Sequence, residues 1–364
     1  MKTLFASLVL LSTLLGSNAI QTKETPPDAL LVLAKADGIL AIVDPSSLQV
    51  IARIPVGHDP HELIASADGK LAYASNYGGG AYNTLAVVDL VAQTSLPAID
   101  LGALRGPHGL VFVGGKVWFT AEAAKAIGSY DPATQKVDWI FGTGQNRTHM
   151  IYVSPDMKRI ITTNVSSGTV SIIEKTIGGP GRGGPPPQGM PNPPPGQTGA
   201  PPPQRPGGPM GPPGGDWNQT VIKVGNGSEG FDVSPDGKEI WVANAQDGTI
   251  SIIDVASKQL TQTLSADVRG ANRLKFTLDG KLALVATLGG PDVTVIDAAT
   301  RKPVKRIPVG HGAAGILMQP DGSRAFVACS PDGYVVAIDL HTLEVTARIP
   351  IGNDPDGLAW SSRH

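Results

Sequence analysis

The chain has 364 residues, of which 16% are charged and 5% are aromatic, and its 45 glycines suit many short strands joined by tight turns. The formal net charge is −2 and no basic block is present, so nothing in the charge balance favours binding of nucleic acid or of an anionic membrane. The single cysteine, Cys329, excludes an internal disulfide and is expected to be a buried thiol.

The N-terminal segment has the pattern of a secretory signal peptide. Lys2 precedes an apolar run from Leu4 to Leu15, and the small residues Gly16, Ser17 and Ala19 follow at cleavage-type positions. The apolar run is too short to span a bilayer. We therefore expect residues 1–19 to be removed and the mature protein to be secreted or periplasmic, with no transmembrane anchor.

An acidic residue recurs at a nearly constant interval, each time where a β-branched run ends. Its seven occurrences are Asp44, Asp89, Asp131, Glu174, Asp254, Asp297 and Asp339. The intervals are 45, 42, 43, 80, 43 and 42 residues, and the long one contains a Pro/Gly-rich tract at residues 178–215. Without those 38 residues the long interval becomes 42, which leaves seven equal units. A period in the forties, made of short strands and turns, is typical of a β-propeller.

Each unit predicts four antiparallel strands. In the fourth unit, the inner strand GFDVS is followed by a Pro-Asp-Gly turn and then by the strands EIWVAN, TISIID and QLTQTL. The mature chain begins with three strands, LLVLA, GILAIVD and QVIARI, and ends with one inner strand, DGLAWS. We therefore predict that residues 20–364 form one all-β domain, a seven-bladed propeller closed by pairing the N-terminal strands with the C-terminal strand.

The Pro/Gly-rich tract falls between the third and fourth strands of the third unit. Residues 178–215 lack the apolar content needed for a core, so we expect a disordered or polyproline-II loop. The simpler interpretation is a tolerated surface insertion, and the alternative is a PxxP segment that docks on a protein partner. The strand order places this loop on the face opposite the one where the inner strands begin.

Three stretches carry a family resemblance, VGHDPHELIASADGKLAYASN, VGNGSEGFDVSPDGKEIWVAN and IPVGHGAAGILMQPDGSRAFVAC. They are similar to the YVTN repeat, in which V-G-x-x-P-x-G precedes an inner strand, S-P-D-G-K and Y-V-(A/T)-N. Apart from the insertion, nearly the whole mature chain resembles the YncE-like, surface-layer-type propellers of the lactonase-like superfamily. The resemblance implies the seven-bladed fold but no single function, because similar propellers include binding proteins, lactonases, streptogramin lyases and electron-transfer enzymes.

One repeat position varies from blade to blade instead of repeating. It lies at the entry to each inner strand and holds, in chain order, His61, His108, His149, Glu229, Asn272, Ala314 and Asp356. The spacings of 47, 41, 80, 43, 42 and 42 residues follow the period of the fold. Because inner strands line the propeller axis, we expect this column of side chains to converge at one mouth of the central channel.

The histidines of this column suggest a metal site. Three imidazoles with flanking carboxylates suit Zn²⁺, Fe²⁺, Cu²⁺ or Mn²⁺. We predict His61, His108, His149 and Glu229 as ligands of one divalent ion. A hydrated channel lining and a metal-free binding or acid–base site are the alternatives, and no local motif decides among them because the ligands come from separate blades.

Other polar residues near the column suggest a small organic ligand. Arg105, Arg147 and Arg273 offer guanidinium groups that grip a carboxylate or phosphate in two places, and Asn272 and Asp356 lie beside the predicted metal ligands. Solvated loop arginines are the alternative interpretation. The loops after the second strands open on the same face, and they include residues 76–83, with two tyrosines, and residues 122–125.

The sequence as a whole predicts an exported monomeric propeller that binds a small ligand or a divalent metal at the channel mouth. The alternatives are a metal-assisted lactonase- or lyase-like enzyme and a non-catalytic scaffold at the cell envelope. No G-x-S-x-G, C-x-x-C-H or glycine-rich phosphate motif supports a different chemistry.

Overall fold

A computed structural model describes residues 24–176 and 216–363 of the protein. The predictions of a signal peptide at residues 1–19 and of a disordered loop at residues 178–215 lie outside the described residues. The described residues form 28 strands, arranged as seven four-stranded antiparallel sheets, and one short 3-10 helix at Gly78–Gly80. The predicted all-β propeller of seven blades is therefore confirmed.

The strands are numbered in chain order, and each blade runs from an inner strand at the axis to an outer strand at the rim. The chain begins with β1 (Asp28–Ala34), β2 (Ile39–Asp44) and β3 (Gln49–Pro55). Blade one is β4 (Pro60–Ala65), β5 (Leu71–Asn76), β6 (Thr84–Asp89) and β7 (Thr94–Asp100). Blade two is β8 (Pro107–Val113), β9 (Lys116–Ala121), β10 (Ala126–Asp131) and β11 (Lys136–Gly142). Blade three is β12 (Thr148–Val153), β13 (Arg159–Asn164), β14 (Thr169–Lys175) and β15 (Trp217–Lys223).

The remaining blades follow the same order. Blade four is β16 (Ser228–Val233), β17 (Glu239–Asn244), β18 (Thr249–Asp254) and β19 (Gln259–Ser265). Blade five is β20 (Ala271–Phe276), β21 (Leu282–Thr287), β22 (Asp292–Asp297) and β23 (Lys302–Pro308). Blade six is β24 (Ala313–Met318), β25 (Arg324–Cys329), β26 (Tyr334–Asp339) and β27 (Glu344–Pro350). The last strand is β28 (Pro355–Ser362).

The ring closes through the two ends of the described chain. Strand β28 pairs antiparallel with β1, from Asp28 opposite Ser362 to Ala34 opposite Pro355, so blade seven consists of β28, β1, β2 and β3. The predicted closure is confirmed. It pairs two strands that would otherwise be open sheet edges, which are liable to aggregation.

The hydrophobic core lies between neighbouring blades. The second and third strands of each blade are buried on both faces, which is why their sequences are continuous β-branched and aliphatic runs. The outer strands are mostly exposed; β27, for example, alternates between exposed and partly buried residues, because only one face packs against the next blade. The recurring acidic residues end the third strands, where most close an Asx-type turn; Asp254, for example, accepts a hydrogen bond of 2.7 Å from the backbone of Ser257.

The inner strands approach one another closely along the channel. In four blades a glycine follows the column residue, at Gly109, Gly230, Gly315 and Gly357. A Cβ atom at any of these would lie 2.3–2.6 Å from backbone of the next blade. Glycine is therefore required for this packing, and few side chains enter the channel at that level.

Candidate functional site

The column residue is the second residue of every inner strand. In each blade a β-bulge interrupts the pairing of the inner strand with the second strand at this point. In blade one, for example, Pro60 pairs with Asn76 and Leu63 with Ala74, which leaves His61 without an opposite residue. Because a bulge redirects side chains out of the normal pleat, the repeat itself aims the column at the channel mouth.

Two residues before each column residue, the backbone is left-handed in all seven blades. Four blades use glycine, at Gly106, Gly227, Gly270 and Gly312. The other three use Asp59, Arg147 and Asp354, with φ of 50°, 56° and 57°. A side chain in this conformation costs about 1–2 kcal/mol relative to an ordinary one. Each of these three side chains makes an ion pair within the site. In these blades, therefore, a charged residue replaces the sterically favoured glycine.

The carbonyl of each left-handed residue accepts a hydrogen bond from the residue just after the second strand of its blade. The seven donors are Lys35, Tyr77, Glu122, Val165, Ala245, Leu288 and Ser330, with N–O distances of 2.7–3.0 Å. This contact brings a second ring of side chains to the same mouth. Two of these loops were predicted to lie on this face, but Lys35 and Glu122 were not predicted as site residues. Their shared repeat position was the signal that would have identified them.

His149 lies between two carboxylates. Its Nδ1 contacts Oε1 of Glu122 and its Nε2 lies 2.7 Å from Oε2 of Glu229, while the imidazole side chain is only 3% exposed. Burial opposes a charge on this ring, but Glu229 and Glu122 outweigh burial and raise the pKa of His149 to about 9. In this arrangement, His149 is an imidazolium at neutral pH.

His108 packs against His149, with ring centroids 3.9 Å apart. Burial and the positive field of His149 and other neighbouring cations lower the pKa of His108 well below 6.5, so this ring is neutral. Its Nδ1 is buried and has no hydrogen-bond partner. The nearest carboxylate oxygen, Oε1 of Glu62, is 4.0 Å away. A buried polar atom without a partner is uncommon and calls for an explanation.

The two carboxylates of His149 share a guanidinium. Arg147 lies 3.2 Å from Glu229 and 3.5 Å from Glu122, and Tyr77 donates a 2.6 Å hydrogen bond to Glu122. Burial acts to raise the pKa of Glu229, but His149 and Arg147 prevail and lower it to about 2. Glu122 therefore lies at the centre of the cluster, in contact with three side chains.

His61 makes its own ion pairs and does not belong to the donor group that contains the other two histidines of the column. Its Nε2 pairs with Asp59 at 3.0 Å and its Nδ1 lies 3.7 Å from Asp356. Its ring centroid is 5.1 Å from that of His108, so the rings are neighbours.

Three side chains, His108, Glu122 and His149, offer donor atoms that all lie within 4.8 Å of one another. This group contains two of the four predicted metal ligands, and adds Glu122 in place of His61 and Glu229.

Glu62 and Arg273 meet across the channel from blades one and five. Their charged groups are in direct contact, and their side chains are 13% and 7% exposed. Arg273 lines both a cavity of about 340 Å³ at the column mouth and a second cavity of about 440 Å³ toward the opposite face. The ion pair therefore separates two compartments of the channel. We call the first of these, which His61, His108 and His149 line, the mouth chamber.

The structure places four of the five predicted ligand-binding residues in the mouth chamber and one outside it. Arg147, Asn272, Arg273 and Asp356 line the mouth chamber. Arg105 is exposed, and the nearest contact of its guanidinium is the carbonyl of Ala81, at 3.4 Å. Arg273 and Arg147 already pair with carboxylates of the protein, so a ligand anion would compete with those partners.

Residues 215–324 match the sequence profile of the family described as YNCE-like beta-propeller. The predicted resemblance to YncE-like propellers is confirmed. The match runs from the outer strand of blade three to the start of the second strand of blade six. Among curated proteins, none matches this sequence. Within the described residues, no helix has the length and apolar character needed to cross a bilayer.

Solved structures share the fold at low sequence identity. A protein of unknown function from Desulfotomaculum acetoxidans has a TM-score of 0.69 and 12% identity, over 92% of this chain and 99% of that one. A Bacteroides uniformis protein described as a candidate 6-phosphogluconolactonase has a TM-score of 0.66 and 15% identity, over 92% and 99%. Hydrazine synthase from Kuenenia stuttgartiensis has a TM-score of 0.64 and 16% identity, over 90% and 99%. At such identities these similarities establish the propeller fold and not an activity.

Proposed function

We propose that the protein binds one divalent transition-metal ion in the mouth chamber, through His108, Glu122 and His149. The observation that carries the proposal is the unpartnered, buried Nδ1 of His108, in a ring that packs against His149 at an interplanar angle of 37° and belongs to the donor group of His108, Glu122 and His149. A metal ion would supply the missing partner. Two imidazoles and one carboxylate form a set that Zn²⁺ uses in proteins, with an open position for water or another ligand.

The donor geometry is compatible with such an ion after small movements. The donor atoms lie within 4.8 Å of one another. Zn²⁺ bonds of about 2.1 Å in tetrahedral geometry hold donors roughly 3.4 Å apart, so side-chain rotations that change donor–donor distances by up to about 1.4 Å are sufficient. Tyr77 and Arg147, which already contact Glu122, would orient that carboxylate from outside the ligand set.

The formal charge around the mouth chamber also favours a cation. Six carboxylates belong to the cluster and its immediate partners, from Asp59, Glu62, Glu122, Glu229, Asp354 and Asp356. Among the described residues, three permanent cations, Lys35, Arg147 and Arg273, pair with these carboxylates. The imidazolium of His149 is a fourth positive charge, so the six carboxylates still leave the group net negative. A divalent cation that displaces the proton of His149 reduces this negative charge.

The proposal is tested by the metal content of protein purified without an affinity tag. Elemental analysis by mass spectrometry should find one transition-metal ion per chain in the wild type, and near-background metal in His108→Ala and Glu122→Gln. His311→Ala is the matched control, because His311 is an exposed loop histidine whose side chain is 78% exposed. Circular dichroism should show that all variants keep the β fold. Sub-stoichiometric metal in the wild type, or equal metal in wild type and site variants, would refute the proposal.

The predicted enzyme alternative depends on the same site. If a bound metal polarised a carbonyl, lactone hydrolysis would be lost on chelation and restored by the metal. The same samples, assayed against a panel of lactones, separate metal-assisted catalysis from binding alone. Export remains a prediction, and N-terminal sequencing of protein recovered from the producing cells tests it.

A further inference from the structure

The mouth chamber contains a second buried polar atom without a partner, on the wall away from the metal donors. It is Oδ1 of Asp356, in a residue that is 5% exposed. The other oxygen of this carboxylate lies 3.4 Å from Nζ of Lys35 and 3.7 Å from Nδ1 of His61. A buried carboxylate oxygen that lacks a donor is unfavourable, so a ligand that donates a hydrogen bond there would be stabilised.

The charges on this wall favour a cationic donor. Lys35 is the permanent cation that contacts Asp356, and it also lies 3.3 Å from Asp354. The guanidinium of Arg273 also acts on Asp356 through its charge, but it is in direct contact with Glu62. These two cations therefore face three carboxylates, and a negative charge remains. A neutral donor would satisfy the oxygen atom, whereas a ligand ammonium would satisfy the atom and also balance the charge.

Blade six provides the space for a ligand. Its column residue is Ala314, whereas the other six blades carry larger polar side chains. Gly312 and Ala314 line the chamber, and the apolar side chains of Leu288 and Pro331 stand at its rim. Leu288 is 52% exposed, so part of its apolar surface is open to a ligand. The break in the column therefore creates a small pocket with apolar walls next to Asp356.

We propose that this part of the mouth chamber binds a small organic amine. The protonated amino group lies at Oδ1 of Asp356, and the hydrocarbon part packs against Ala314, Leu288 and Pro331. The amine would occupy the same chamber as the proposed metal ion, and this proposal rests on the proposed function only because the two share that chamber. None of the proposed metal donors takes part.

The test uses n-butylammonium as the probe and 1-butanol and butyrate as neutral and anionic controls, titrated against the full-length protein and followed by ligand-observed NMR. Saturable binding of n-butylammonium is expected, without saturable binding of either control. Asp356→Asn should weaken it about tenfold or more, since a charge-assisted contact is lost. Asp247→Asn, at an exposed turn residue bonded to Asn226, should leave it unchanged.

Ala314→Leu provides a second variant, because it fills the pocket without removing a charge. It should abolish n-butylammonium binding while leaving the metal content at the wild-type level. Equal binding of 1-butanol, or unchanged binding in both site variants, would overturn the inference. Failure of the metal proposal is read separately. His108→Ala and chelated protein should still bind n-butylammonium, and a wild type that binds the amine but contains no metal would refute only the metal site.

Discussion

The guanidinium of Arg147 lies 3.2 Å from the carboxylate of Glu229, although the backbone of Arg147 has a left-handed φ of 56°. The neighbouring blade two has Gly106 at the same repeat position. Local backbone strain of this kind persists where surrounding contacts hold it, and it is often found at functional sites. At this repeat position the non-glycine residues are Asp59, Arg147 and Asp354, and each contacts a column residue or its partner.

This strain predicts an unusual order of stability at Arg147. Arg147→Gly should be more stable than Arg147→Ala by roughly 1 kcal/mol, because both lose the ion pairs but only alanine keeps a Cβ in the left-handed conformation. Urea unfolding followed by circular dichroism measures the difference. Arg105 is the control, since it is exposed and its φ is not positive, so there the glycine variant should be the less stable. An alanine variant at least as stable as glycine at Arg147 would contradict the strain argument.

The ion pair between Glu62 and Arg273 predicts strong energetic coupling across the channel. Glu62→Gln should lower the free energy of unfolding by about 3–5 kcal/mol, because it leaves a buried guanidinium without its partner. The double variant Glu62→Gln with Arg273→Met should lose clearly less than the sum of the two single variants. Arg306→Met, in a pair whose side chains are 45% and 95% exposed, should cost at most about 1 kcal/mol. Additive single effects in this double-mutant cycle would show that the pair is not coupled.

The fold could be predicted from the sequence because the pattern of strands and turns repeats in every blade. The acidic residues that end β2, β6 and β10 repeat at the interval of one blade, and the incomplete units at the two ends indicated the pairing of β1 with β28. The column was also predicted, since every blade places it as the second residue of an inner strand. What the repeat could not reveal was which side chains meet across blades.

The contacts within the site depend on side-chain length and on the β-bulge, and the spacing of residues along the sequence shows neither. His61 and His108 occupy the same repeat position, yet His61 pairs with Asp59 and His108 packs on His149. Glu122 was missed because it lies in the turn after β9 and not at the entry to an inner strand; its backbone hydrogen bond to the carbonyl of Gly106 brings it to the mouth. A second alignment, of the residue after each second strand, would have found it.

Cys329 should be unreactive in the native protein. The residue is fully buried in the core between blades five and six, and burial, with a smaller effect of Asp332, raises the pKa of its thiol to about 12. Ellman's reagent at pH of about 8 should label almost no thiol in the folded protein and one thiol per chain in guanidinium chloride. Equally fast labelling with and without denaturant would show that the strand β25 opens readily or is wrongly placed.

The turns between first and second strands predict a loss of stability in acid. Hydrogen bonds from Ser234 and from the backbone of Lys238 lower the pKa of Asp236 to about 2, and Thr277 has the same effect on Asp279. Since these folded-state values lie below 3.8, the carboxylates stabilise the fold above pH of about 4, and this contribution is lost as the pH falls toward about 2. The thermal midpoint should fall over that range.

Asp236→Asn tests the origin of this acid sensitivity. The asparagine cannot be protonated in this range, so its variant should show a smaller fall in thermal midpoint between pH of about 4 and about 2 than the wild type does. A constant or rising midpoint for the wild type in acid would contradict the assignment. So would an identical pH dependence for the two proteins.

Anomalous diffraction can show directly whether a metal ion binds to His108, Glu122 and His149. A crystal of the tag-free protein, grown with Zn²⁺ and measured on both sides of the zinc absorption edge, should give one strong anomalous peak in the mouth chamber, within bonding distance of His108, Glu122 and His149. The peak should be absent in Glu122→Gln. A chamber without an anomalous peak, or zinc bound only at exposed histidines such as His311, would contradict the account.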